Sequence, residues 1–391
     1  MVTLLVVVAV LAGAGIGHEA WPVRTGSSPR AAAPAFNAPG NSGSSGGESS
    51  PFGSGSSGNS STGAGAPSNI SSIAAKADPG LVDINTNLSY QNEQAAGTGM
   101  VISSSGLVLT NNHVIEGATT ISVTDVGNGK SYSATVVGYD RTGDVAVVKL
   151  ANASGLQTIT PSTGTAAVGQ AVVGVGNAGG TGGTPSAAGG AITALDQSIT
   201  ASDNGGGNAE NLTGLIEINA AIQPGDSGGA LVNTAGQVIG MDTAASTGSG
   251  YQVSASQAYA IPISTALSIA KQIEAGKASS TVHIGPTGFL GVSVSAAGSG
   301  AGGNGPFGSG SGNATSGAVV AGTLSGSPAQ QAGLAQGDVI TALNGSAVNS
   351  ATDLSNLLQS QHPGDTVQLQ WTDASGQSHT ASLKLTSGPP A

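Results

Sequence analysis

The sequence predicts a mostly β protein: an antiparallel barrel or sandwich over residues 69–272, then a small α+β unit from 285 onward, preceded by a hydrophobic segment and a disordered linker. Three observations predict it. Short β-branched runs separated by Gly, Asn, Asp and Ser fill the middle of the chain, at 98–102, 107–110, 121–124, 135–137, 145–150 and 171–175. Many short strands at close spacing are the pattern of an all-β barrel or sandwich. Glycine supplies 65 of 391 residues without a three-residue period, which excludes collagen and marks unstructured stretches beside ordered ones. Residues 22–68 are Gly, Ser, Pro, Asn and Ala with almost no apolar clusters. They bury too little surface to offset backbone entropy and form a flexible tether.

Taken in order, residues 2–17 are an uncharged run of mainly Val, Leu, Ala and Gly, a targeting segment a little short of a full membrane span. Small residues at Ala12 and Ala14 suit a signal-peptidase site, whereas Trp21 followed by Arg24 and Arg30 suits an interfacial anchor. Residues 1–21 are therefore expected to be a signal peptide or a single transmembrane anchor, the anchor favoured, and the protein is expected outside the cytoplasm. The β domain is assigned to 69–280, and residues 263–274 close it as a helix, with Leu267, Ile269, Ala270 and Ile273 ahead of Gly276. The unit at 285–388 reads as strands 288–294 and 317–323, a helix at 351–361 with Leu354, Leu357 and Leu358 on one face, and strands 366–372 and 379–385. A second Gly/Ser/Asn run, 295–316, interrupts it.

The formal charge of -11, with nine Lys and Arg in all, argues against nucleic acid and anionic membrane surfaces as partners. The chain has no Cys, which removes disulfides, thiolate metal sites and a cysteine nucleophile. No metal-ligand cluster appears and no cofactor is implied.

A hydrolytic serine needs an imidazole to take its proton, a carboxylate to orient that imidazole, and backbone N–H groups to hold the oxyanion. His113 is the single histidine of the β domain and follows an apolar strand in Leu109-Thr-Asn-Asn-His-Val-Ile. Ser227 stands in Pro224-Gly-Asp-Ser-Gly-Gly-Ala-Leu-Val, where the flanking glycines permit a tight turn that aims the N–H groups of Gly225 and Ser227 at one oxygen. Asp144 is the expected carboxylate because the apolar run begins at the next residue; Asp140 is its competitor. Each piece alone is common in turns. Their co-occurrence on an all-β background in the order His, Asp, Ser is what points to nucleophilic hydrolysis.

These segments, with Gly97-Thr-Gly-Met-Val-Ile, Asn219-Ala-Ala-Ile-Gln-Pro-Gly-Asp-Ser-Gly-Gly-Ala-Leu-Val-Asn and Tyr259-Ala-Ile-Pro, resemble the HtrA/Deg family of trypsin-like proteases that carry a PDZ domain. The resemblance implies a chymotrypsin-like double β-barrel with the site in the cleft between barrels. It also implies endoproteolysis of unfolded, damaged or specific exported proteins, and homotrimers. It assigns Ile222, Ala245 and Ser246 to the pocket for the side chain preceding the cut, and Thr243, Ala244 and Ala245 to pairing with substrate backbone. No acidic pocket floor is visible among these, so a small or medium aliphatic side chain is expected. The C-terminal unit resembles a PDZ domain in Thr287-Gly-Phe-Leu-Gly-Val and in Ser327-Pro-Ala-Gln-Gln-Ala-Gly-Leu. That resemblance assigns Phe289, Leu290, Gly291 and Val292 to capture of peptide C-termini.

The chain departs from the family in carrying Asp226 where Asn is common, with no evident partner, and Asn219 where an acid is frequent; residues 198–212 read as a glycine-rich loop. The other function the sequence leaves open is a non-proteolytic chaperone or peptide-binding scaffold that uses the same cleft and groove. The intact Ser, His and Asp set favours the endopeptidase.

Overall fold

The computed structural model describes residues 6–7, 63–202, 209–243, 257–295 and 316–390. The expected leader, apart from Val6–Val7, the linker up to 62 and the insert at 296–315 lie outside the described residues. Among the described residues no helix is long and apolar enough to cross a membrane.

Two antiparallel rings of six strands carry the middle of the chain. In the first, Leu81–Leu88, Glu93–Ser103, Leu107–Thr110, Val145–Leu150, Ser131–Asp140 and Thr120–Asp125 pair in that order and return to Leu81–Leu88, with Val282–Ile284 added to the edge of Ser131–Asp140. In the second, a closed barrel, the order is Ala171–Gly176, Ser186–Ser202, Ala209–Ile218, Ala258–Pro262, Val238–Thr243 and Ala230–Asn233. The run Val145–Leu150 shows why the sequence lacks strict alternation. Ala146, Val148 and Leu150 fill the first ring, while Val145 and Val147 join a separate cluster with Ile73, Val175 and Met241. A strand buried on both faces has no polar side to show.

Helix Ile263–Glu274 has the predicted bounds and buries Ile263, Ala266, Ala270 and Ile273 in that shared cluster. Helix Ile70–Ala77 was not expected. Its eight residues have no side-chain cap, and its stability comes from burying Ile70, Ile73, Ala74 and Ala77 on the same cluster. The segment expected to be a loop at 198–212 is instead mostly hairpin, since Ser202 pairs with Ala209 and Leu212 with Ile199. Buried Ile199 and Leu212 at its base are the signal that the glycine content concealed.

The C-terminal unit has the sheet Val292–Ser295, Ala318–Thr323, Val339–Leu343, Thr366–Thr372 and Ser378–Lys384, packed under helix Ala351–Gln359. The open edge of Val292–Ser295 takes the antiparallel pair Val6–Val7. The predicted strand 288–294 is interrupted at Leu290 and Gly291, whose carbonyls turn to accept from Ala329 and Leu324 N–H groups. The preceding piece, Thr287–Phe289, pairs with Thr386–Gly388 instead. This unit packs on the first ring: Phe289 stacks on Tyr90 at 5.3 Å, Thr287 and Tyr139 share a 2.9 Å hydrogen bond, and Gly117 N–H donates to the Pro390 carbonyl.

Ile73 is wholly buried, so Ile73→Ala is expected to cost about 2–5 kcal/mol of unfolding free energy in denaturant melts, whereas Ser71→Ala on the exposed face of the same helix leaves it unchanged.

Candidate active site

Asp144 stands in the turn just before the strand Val145–Leu150 with φ +51, a left-handed conformation uncommon for a residue with a side chain. That backbone turn aims its carboxylate at the short helix Asn112–Ile115. The carboxylate is 1% exposed and lies 3.0 Å through each oxygen from His113 Nδ1. The His113 backbone N–H donates to Oδ1 at 3.1 Å, and Thr243 Oγ1 donates to Oδ2 at 3.2 Å. The Asn111 side-chain amide holds the Asp144 carbonyl. A carboxylate taken out of water needs such donors. Asp140, the alternative, accepts from Gly143 N–H and Thr281 Oγ1 and does not meet the imidazole.

Ser227 lies in a turn that the first ring clamps. Thr98 N–H donates to the Ser227 carbonyl at 2.8 Å, and the Thr98 hydroxyl donates to the Gly225 carbonyl at 2.7 Å. Gly225 has φ +98 and Gly228 φ +82, and a Cβ at either would collide with backbone oxygens, of Asn177 and Thr98 respectively. The Pro224 carbonyl accepts from Gly179 N–H at 2.7 Å and the Asp226 carbonyl from Gly229 N–H at 2.8 Å. The described residues have no cis peptide, and a trans peptide sets each N–H opposite its carbonyl. Anchoring those two carbonyls therefore turns the N–H groups of Gly225 and Ser227 to the other side of the turn.

The partner of Asp226, unidentified from sequence, is a pair of neutral donors: Ser186 Oγ on one oxygen at 2.7 Å and Gln223 N–H on the other at 2.9 Å. Burial still pushes this carboxyl up, against the two hydrogen bonds. Thr98, Ser186 and the Thr243 hydroxyl are supports that sequence reasoning missed; Thr98 stands in a quoted motif, but nothing in a motif shows which oxygen a hydroxyl will reach. Ile222 is half-buried beside the second barrel's interior cluster. Ala244, Ala245 and Ser246 lie outside the described residues.

Asp242 was not anticipated. It is wholly buried, and neither of its carboxyl oxygens has a hydrogen-bond partner among the described residues. Burial holds it well above the usual carboxylate range, the Asp226 charge adds to this, and the nearby Val175 backbone N–H only partly offsets it.

At the PDZ-like unit, the Leu290 carbonyl faces Ala329 N–H, and the Gly291 carbonyl faces Leu324 N–H and Ser327 Oγ. The N–H groups of Gly291 and Val292 are thereby turned away from that wall. The Phe289 side chain is spent on Tyr90, and its backbone pairs with Thr386, whose hydroxyl donates to the Phe289 carbonyl.

Comparison with known proteins follows the same division. The trypsin-like peptidase domain family matches residues 97–241, and the PDZ domain family matches residues 288–385. Serine protease PepD of Mycobacterium tuberculosis is 33% identical over 337 residues, 82% of this chain and 66% of its own. Serine protease Do-like HtrA of Lactococcus lactis is 33% identical over 296 residues, covering 74% and 70% of the two chains. The periplasmic pH-dependent serine endoprotease DegQ of Escherichia coli is 35% identical over 279 residues, covering 71% and 56%. The chain thus spans between about half and about two-thirds of the length of these relatives.

Asp242 gives this site a pH signature. Above its ordinary value of 3.8 the unfolded chain loses the proton that the folded chain keeps, so stability falls as pH rises towards the folded-state value. Asp242→Asn removes that loss. Its unfolding free energy relative to the parent is expected to climb as pH rises above the ordinary carboxylate value of 3.8, with a limiting slope of about 1.4 kcal/mol per pH unit, in denaturant titrations at each pH.

Proposed function

This chain belongs to the HtrA/Deg family of trypsin-like serine proteases that carry a PDZ domain, and we propose that it is an endopeptidase working through Ser227, His113 and Asp144. The observation that carries the reading is the buried Asp144 carboxylate bonded through both oxygens to the His113 ring. A carboxylate so placed holds the Nδ1–H tautomer and stabilises the imidazolium that forms when the other ring nitrogen takes the Ser227 proton. Ser227 Oγ then attacks the substrate carbonyl, and the tetrahedral oxyanion is received by the N–H groups of Gly225 and Ser227. His113 returns the proton to the leaving amine, and water repeats the sequence on the acyl-enzyme. The anchored Pro224 and Asp226 carbonyls support an oxyanion site that is formed at rest.

Unfolded, damaged or specific exported proteins are the proposed substrates, with peptide C-termini bound along Val292–Ser295 by strand addition in place of Val6–Val7 and by the N–H groups at Leu290, Gly291 and Val292. The periplasmic setting in the DegQ relative's name supports action outside the cytoplasm, with residues 1–21 as leader or membrane anchor. Homotrimeric assembly is proposed on the family resemblance; Tyr90, the one aromatic of residues 69–97, is stacked on Phe289.

A fluorophosphonate probe is expected to label the protein, and Ser227→Ala to abolish labelling and casein cleavage; persistence of either in the variant would remove Ser227 from the mechanism. Asp144→Asn is expected to lower kcat by about three to four orders of magnitude with little change in KM. In fluorescence titrations, a peptide with a free C-terminal carboxylate is expected to bind about tenfold or more tightly than its amide.

A further inference from the structure

Asp242 has no role in the hydrolytic chemistry, and its surroundings are unusual for a buried acid. Its backbone is hydrogen-bonded to the nucleophile turn on both sides: its N–H donates to the Gly229 carbonyl and its carbonyl accepts from Gly228 N–H, both at 2.9 Å. Along the strand Val238–Thr243 the side chains alternate. Met241 joins the cluster shared with the first ring and Thr243 reaches Asp144, so Asp242 points to the opposite face, towards the second barrel's interior. Gly174, on Ala171–Gly176, leaves the room: a Cβ there would run into Ile222 Cδ1 and stand 3.1 Å from Asp242 Oδ2. Ile222, half-buried, and Asp242 therefore both border the space over one glycine. Two residues further, Gly176 gives the same room to Asp226.

The two acids differ in how they are satisfied. Asp226 accepts from Ser186 and Gln223, whereas neither oxygen of Asp242 makes a well-formed hydrogen bond among the described residues, the Val175 backbone N–H lying nearby. The barrel cannot supply a countercharge, because residues 151–270 contain no Lys, Arg or His. An acid kept in an apolar interior without a donor is costly, and its open oxygens lie under the residue that the family resemblance assigns to the substrate pocket.

We propose that Asp242 is the floor of the pocket for the side chain preceding the cleaved bond, and that this pocket selects lysine or arginine. The inference rests on the endopeptidase reading and sharpens its substrate class. A long aliphatic stem packs along Ile222 while the cationic head reaches the carboxyl, supplying the charge and the donors that the barrel lacks. Arginine suits two open oxygens through its paired N–H groups. The aliphatic preference expected from the family pattern gives the opposite ranking.

The test is a set of fluorogenic peptides differing only at the residue before the cut, run on the full chain beside fluorophosphonate labelling. Arg and Lys peptides are expected to exceed the Val peptide in kcat/KM by about tenfold or more, and Asp242→Val to invert that order. A peptide aldehyde ending in argininal is expected to inhibit the parent protein more tightly than one ending in valinal, a measurement that needs no variant. Labelling with Val preferred over Arg overturns this inference and leaves the endopeptidase standing. Absence of both labelling and cleavage overturns the two together.

Discussion

Asp144 carries a carboxylate almost wholly removed from water, and its donors come from both β rings: the His113 ring and backbone from the first, the Thr243 hydroxyl from the second. Burying a charge is tolerated only where donors of fixed geometry replace the lost water. The pairing therefore does more than orient an imidazole. It registers the strand Val238–Thr243 against Val145–Leu150, and Val238–Thr243 holds Gly228 and Gly229 through the backbone of Asp242. The proposed nucleophile and its proposed base are thus positioned by one chain of hydrogen bonds that crosses the interface. Thr98 closes the loop from the other side by bonding the Gly225 and Ser227 carbonyls.

The second barrel holds two buried acids with no basic residue of its own. Asp226 is compensated locally by a hydroxyl and an amide, which answers how the turn is held without a countercharge. Asp242 is compensated only in part, by the nearby Val175 backbone N–H, and its cost to the fold is the kind that proteins retain at functional positions. The glycines at 174 and 176 belong to the same arrangement, because each leaves on one strand face the volume that a carboxyl occupies.

The C-terminal unit shares its first strand segment with the contact to the first ring. Phe289 and Thr287 pack on Tyr90 and Tyr139, while the Leu290 and Gly291 carbonyls are fixed inside their own unit. The segment that turns N–H groups towards the proposed peptide site is therefore continuous with the one that rests on the barrels. His283 extends the junction by stacking between Tyr139 and His362 at 5.1 and 4.6 Å.

The strand texture, the closing helix at 263–274 and the identity of His113, Asp144 and Ser227 as candidates could be read from the sequence because each rests on local information: apolar runs, a helical period, glycines around a serine. The bounds of Ile263–Glu274 and Val145–Leu150 were legible for that reason. Helix Ile70–Ala77 and the hairpin through 198–212 were not, since neither has strong local propensity and both depend on burying a few side chains against distant strands. The sequence favours Asp144 over Asp140 only through the apolar run that begins at the next residue, because both acids stand at turns and the path of the folded chain decides which one meets the imidazole. Asp242 is the clearest case. In the sequence it is one acid in a strand; being unpartnered is a property of everything that surrounds it, and only the packed barrel brings Gly174, Ile222 and Asp226 to its side.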